Sequence, residues 1–151
     1  MTNQAMMPTR VRQRGAGLIE VLIAVLVMGI GLLGIAALQA TSLRNNQSAL
    51  ERSAAVVQSY AILDAMRANR EAATSGAYNT SYVCSSTAGE TLAERDIAAW
   101  VAALKASLPG EESTCGKIDC DTDLCTVTVK WDDGRASAGS AEQEVATRSR
   151  L

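Results

Sequence analysis

The sequence predicts an α+β fold in which a long N-terminal helix, half transmembrane and half amphipathic, packs on a small domain with a second helix and a short antiparallel sheet. Three observations predict it. Val21 to Leu38 is an unbroken apolar run of 18 residues (VLIAVLVMGIGLLGIAAL), and a helical apolar pattern continues past Gln39. Period-two alternation is confined to the C-terminal end of the chain, beyond a helix-start signal at Thr91. Helices first and strands afterwards is the order of a layered α+β domain.

At a rise of about 1.5 Å per residue the apolar run spans about 27 Å, close to the hydrocarbon thickness of a bilayer. It can cross a membrane. Arg10, Arg12 and Arg14 precede it, with no acidic residue among positions 1 to 15. The positive-inside rule then holds that end in the cytoplasm and exports the remainder. A secretory signal places its small-residue cleavage site after the apolar region. Here the small residues Gly15, Ala16 and Gly17 lie before it.

Glu20, one step ahead of the run, is the residue that needs a reason. An ionised carboxylate inside hydrocarbon costs about 2.5 kcal/mol or more. At the interfacial end of a plain signal anchor its head would reach water. The alternative uses cleavage: a cut after Gly15 creates an α-amine on Ala16, and the amine of an adjacent subunit could then neutralise this carboxylate in a low-dielectric setting.

The segment Gly15-Ala16-Gly17-Leu18-Ile19-Glu20-Val21-Leu22-Ile23-Ala24 resembles the class III signal sequence of type IV prepilins, which combines a cut-site glycine, Leu-Ile-Glu and a long apolar helix. The resemblance implies that a membrane prepilin peptidase removes the leader after Gly15 and N-methylates the new amine. Ala16 stands where the family usually has Phe, which bears on methylation more than on cleavage. The implied domains are a leader at 1–15, a transmembrane or filament-core helix at 16–39, and a periplasmic or extracellular pilin domain at 40–151. Further along, Gly29-Ile30-Gly31-Leu32-Leu33-Gly34-Ile35-Ala36-Ala37-Leu38-Gln39 and the strand end Trp131-Asp132-Asp133 are similar to the PilV (type IV pilus modification protein) group of minor pilins.

Gly29, Gly31 and Gly34 each cost about 1 kcal/mol relative to alanine in a helix. They mark a place for local unwinding or for close helix contact, and glycine is also common at packing faces of membrane helices. Past Gln39, Leu43, Leu50, Ala54, Val57 and Ala61 recur at helical spacing while Arg44, Glu51 and Arg52 fall off that stripe. A helix from Gly17 to about Asn69 would be about 80 Å long. Residues 74–90, rich in Ser, Thr and Gly, read as an irregular connection tethered by Cys84.

Thr91 and Glu94 have capping-box spacing, and Leu92, Ile97, Trp100, Val101, Leu104 and Leu108 are expected on one face of the second helix. Pro109-Gly110 stops it. Strands are expected at Lys117–Cys120, at Cys125–Trp131, where Val127, Val129 and Trp131 alternate with Thr126, Thr128 and Lys130, and at Glu144–Leu151, after a turn at Asp132-Asp133-Gly134. With no phenylalanine and 3% aromatics, the core is thin, and disulfides would help it.

Cys84, Cys115, Cys120 and Cys125 all fall on the exported side, where oxidation is favoured. Three connectivities are open; the favoured one joins Cys120 to Cys125 across a short turn and Cys84 to Cys115. Zinc is disfavoured, because the C-x4-C-x4-C spacing has no C-x2-C knuckle and the chain has no histidine. Asp119, Asp121 and Asp123 alternate, but a calcium-loop register would put Leu124 at the glycine place and Lys130 at the bidentate glutamate, so a solvated turn is favoured. No metal and no cofactor is expected.

Enzymatic activity is not expected either: there is no histidine, no G-x-S-x-G and no glycine-rich phosphate loop. From Arg52 onward 10 basic residues stand against 14 acidic, a balance of −4, so no nucleic acid partner is expected, although Arg148 and Arg150 could form a local patch. The resemblance implies a minor pilin acting in priming and assembly of a type IV pilus, with twitching motility and adhesion as outcomes. Its implied partners are other minor pilins, the major pilin, prepilin peptidase, the inner membrane and a tip adhesin. Before assembly it would be a single-pass inner-membrane protein, N-in and C-out, and afterwards part of the fibre or its tip. The alternatives are a pseudopilin of a type II secretion system and a signal-anchored periplasmic binding module that never polymerises.

Overall fold

No proline falls between Leu18 and Ala68, so nothing interrupts the i to i−4 hydrogen-bond ladder over that stretch. In the computed structural model, which describes residues 17–85, 87 and 89–151, it forms a single helix α1 (Leu18–Ala68). The chain divides between Gln39 and Ala40 into two compact units. In the N-terminal unit the described residues are helical from Leu18 onward, and every large apolar side chain there is exposed. The helix is long and apolar enough to cross a membrane, and none of its apolar window is buried within the chain.

The C-terminal unit holds the rest of α1, then α2 (Arg70–Thr74), β1 (Thr80–Val83), α3 (Leu92–Ser107), β2 (Cys115–Asp121), β3 (Leu124–Trp131) and β4 (Gln143–Arg150). The strands form one antiparallel sheet in the order β1-β2-β3-β4. This is the α+β architecture the sequence predicts. The alternation in β3 becomes its two faces: Cys125, Val127, Val129 and Trp131 are buried, while Leu124, Thr126, Thr128 and Lys130 are half-buried. β2 pairs with β3 from Cys115 opposite Lys130 to Asp121 opposite Leu124, and Thr122 turns the hairpin with a left-handed φ of 54°.

Helix α3 starts as its sequence dictates. The Glu94 backbone N–H donates to the Thr91 hydroxyl at 3.2 Å, and the Thr91 N–H donates to the Glu94 carboxylate at 3.0 Å. The Thr91 N–H bond, together with the Thr91 hydroxyl donating to the same carboxylate at 2.9 Å, holds the Glu94 carboxyl below its usual range. Ile97, Trp100, Val101, Leu104 and the C-cap residue Leu108 are buried. Leu92 is not: at 50% exposure it lies off the buried arc, which at 100° per residue passes through Ala93 instead. Trp100 ties the two long helices together by donating its indole N–H to the Gln58 carbonyl at 3.0 Å. Its ring also lies so close to Gly116 that an added Cβ would sit 2.3 Å from it.

One further expectation needs correction. Residues 74–90 are not wholly irregular, because β1 lies within them, pairing Thr80 with Ile118 and Val83 with Gly116. Tyr78, just before it, is fully buried and donates to Asp96 at 2.5 Å while accepting from the Asn69 amide at 3.2 Å. Of the stripe Leu43, Leu50, Ala54, Val57 and Ala61, the large members Leu43, Leu50 and Val57 are exposed. The buried residues of α1 are Ala55, Ser59, Ile62, Leu63 and Met66, and at 100° per residue they lie on roughly the opposite side.

Candidate functional site

The helix opens immediately before Glu20, whose backbone N–H donates to the Gly17 carbonyl at 2.9 Å, with Val21 donating to the same oxygen at 3.3 Å. Glu20 thus lies in the first turn, where a negative charge meets the positive end of the helix dipole, a favourable placement of about 0.3–1 kcal/mol. Its side chain is exposed and has no hydrogen-bond or ion-pair partner among the described residues. Gly15 and Ala16, the residues of the expected cut, lie outside the described residues. Around Glu20 the side chains are apolar and outward-facing: Leu18 and Ile19 before it, Val21, Leu22 and Ile23 after it. A carboxylate carried into hydrocarbon is costly unless it is paired or its head reaches water.

The helix is unbroken through Gly29, Gly31 and Gly34. A Cβ added at any of the three would meet nothing within 4 Å, so no contact among the described residues demands glycine there. In the C-terminal unit, Leu43, Leu50 and Val57 remain 64%, 70% and 64% exposed, and each is seven residues from the next. They form a second apolar face on α1.

A model of the prokaryotic N-terminal methylation motif matches residues 10–36. The chain carries that motif. No curated protein and no solved structure matches the chain. The match spans the basic segment, the expected cut at Gly15, Glu20 and most of the apolar run, so the motif and the exposed helix describe one feature. The motif supports a type IV pilin-like protein that is membrane-anchored, processed by prepilin peptidase and associated with pilin assemblies.

Downstream of the motif, two disulfides staple the C-terminal unit: Cys84 to Cys115 and Cys120 to Cys125. This is the pairing favoured on sequence. The first joins the end of β1 to the start of β2; the second closes the β2–β3 hairpin, where the two residues are cross-strand partners. Asp119, Asp121 and Asp123 lie along β2 and its turn. Among the described residues no three His, Cys, Asp or Glu side chains gather in a way that could hold a metal ion. Arg148 and Arg150 are exposed on β4.

Sequence reasoning missed two polar clusters. On the solvent side of the sheet, the Tyr82 hydroxyl donates to Glu144 at 2.7 Å, Lys130 bonds Glu142 at 2.7 Å, and the Lys130 ammonium stands 5.8 Å from the Tyr82 ring centre. Desolvation and the Glu144 carboxylate push the Tyr82 hydroxyl up to about 12, while Lys130 holds the Glu142 carboxyl below its usual range. Between α1 and the segment after β3, Ser48 donates to Asp133 at 2.5 Å and the Trp131 indole N–H donates to Glu51 at 3.3 Å. The Trp-Asp-Asp triplet was legible; its partners on a helix far away in sequence were not.

Proposed function

We propose that this chain is a minor pilin of the PilV kind, cut after Gly15 and taking part in priming and assembly of a type IV pilus. The observation that carries the reading is the methylation motif at residues 10–36 on a helix whose apolar surface from Leu18 to Leu38 is left exposed by the described residues. In assembly, Glu20 takes the α-amine of a neighbouring subunit, and Ala16 offers its own amine to the next carboxylate. Each charge relieves the cost of burying the other. The exposed Leu43, Leu50 and Val57 favour the same reading, because they offer helix surface for a further subunit beyond the apolar span. The similarity of Gly29–Gln39 and Trp131-Asp132-Asp133 to PilV supports the choice of subgroup. Other minor pilins, the major pilin and a tip adhesin are the partners in this reading, and twitching motility and adhesion are its consequences. The chain is inserted N-in and C-out in the inner membrane before it enters the fibre, and it is not an enzyme.

A pseudopilin of a type II secretion system shares this anchor. Deletion of the chain separates the two: loss of surface pili with normal export of enzymes supports the pilus reading, whereas normal pili with blocked enzyme export overturns it in favour of the pseudopilin.

A further inference from the structure

β4 (Gln143–Arg150) forms one edge of the sheet, and the pairing tells which of its backbone groups face outward. Leu151 N–H donates to the Asp123 carbonyl at 2.9 Å, so these two residues are a hydrogen-bonded pair of the antiparallel ladder. Such pairs alternate along two strands. With Cys125 opposite Ser149, Val127 opposite Thr147 and Val129 opposite Val145, the odd-numbered residues of β4 bond to β3. The even ones, Glu144, Ala146, Arg148 and Arg150, turn their N–H and C=O away from the sheet. Near the strand ends some of these groups are engaged: the Arg150 carbonyl accepts from Arg67 of α1 at 3.3 Å and from the Ser149 hydroxyl at 3.1 Å, and the Glu144 carbonyl from the Gln143 amide at 3.4 Å. In the middle, the backbone groups of Ala146 and Arg148 have no partner among the described residues.

Edge strands are commonly blunted by brevity, proline, a bulge or a covering helix. β4 has eight residues, no proline and an unshifted register with β3. What it carries is charge. Arg148 and Arg150 stand two residues apart on the same exposed face, and neither guanidinium has a hydrogen-bond or ion-pair partner among the described residues. In their rows across the sheet, Asp119 and Asp121 lie two strands away on β2, about 10 Å off.

A second copy of β4 does not fit this edge. Helix α1 runs along β4, with Arg52 at Gln143 and Arg67 at Ser149. Added antiparallel about a two-fold axis, a second β4 would therefore reverse its own α1, against the shared N-in, C-out insertion of the proposed function, on which this step rests. Added parallel, it would bring Arg148 and Arg150 beside their own counterparts, and like charges across a ladder are destabilising.

We propose that the β4 edge takes an extended acidic segment of another protein as a fifth strand, with two carboxylates at alternate positions meeting Arg148 and Arg150. The segment's main chain bonds the open groups of Ala146 and Arg148, and the guanidiniums select acid over base. Cleavage after Gly15 does not depend on this edge, so the two readings fail separately.

The probe is a capped peptide, Thr-Glu-Val-Glu-Thr-Val-Thr, with its Lys-for-Glu counterpart, each titrated into the full chain in zwitterionic micelles and followed by amide NMR and hydrogen exchange. The acidic peptide should protect the Ala146 and Arg148 amides and bind at least about fivefold more tightly than the lysine peptide. From Arg52 onward the chain has a balance of −4, so unspecific attraction would favour the lysine peptide instead. Ala146→Pro removes an N–H that the sheet does not use, a change an edge strand tolerates; it should abolish binding while β3 amides stay protected. Arg148→Glu combined with Arg150→Glu should reverse the preference. The proposal is overturned by unprotected Ala146 and Arg148 amides, by equal or tighter binding of the lysine peptide, or by undiminished binding in Ala146→Pro. Protection of those amides without peptide that is lost on dilution would also overturn it, assigning the edge to a second copy.

Discussion

Gly116 and Thr91 show how much a single position can decide. Gly116→Ala would place its new methyl against the Trp100 ring, which is itself fixed by its bond to the Gln58 carbonyl. Overpacking of that kind costs about 1–3 kcal/mol, so urea unfolding of the variant should show a lower midpoint with an unchanged slope. Thr91→Ala removes the hydroxyl that caps α3 and should cost about 1 kcal/mol in the same measurement. Glu20→Ala should leave folding untouched, since that side chain touches nothing among the described residues, while greatly reducing recovery of the chain in sheared pili. Wild-type recovery of that variant would argue against charge pairing. The Glu20 position was legible because a lone acid interrupts an apolar pattern. The contacts of Ser48 with Asp133 and of Trp131 with Glu51 were not, because nothing local joins elements that only tertiary packing brings together.

Among the elements, α3 and β3 were readable because their signals are local: a cap followed by a helical apolar face in one, strict alternation in the other. β1 was missed for the opposite reason. Thr80–Val83 is four residues long in a Ser- and Thr-rich setting, and its strand state comes from pairing with β2 on the far side of α3. Helix α1 has two apolar faces, and the periodic stripe with Leu43, Leu50 and Val57 is the exposed one. The buried residues of α1 are instead Ala55, Ser59, Ile62, Leu63 and Met66. Leu50→Glu should therefore change unfolding free energy by less than about 0.5 kcal/mol while lowering incorporation into pili. The two disulfides differ in leverage. Removing Cys84–Cys115, with a sequence separation of 31, should cost about 3.7 kcal/mol, and removing Cys120–Cys125, with a separation of 5, about 2 kcal/mol. Denaturation of the paired Cys→Ser variants would reveal that order.

At the level of the whole chain, a helix that exposes every large apolar side chain from Leu18 to Leu38 cannot remain in water alone. A bilayer and then a bundle of like helices are the two settings that satisfy it. Disulfides in the C-terminal unit agree with export of that unit to an oxidising compartment. The account rests on a new amino terminus appearing at Ala16, because only a cut there supplies the amine that Glu20 needs from its neighbour. Intact-mass measurement of the protein purified from its native membrane tests that most directly. The account predicts a chain that begins at Ala16, lacking residues 1–15, with or without one added methyl group. A functional mature protein still beginning at Met1 would contradict it.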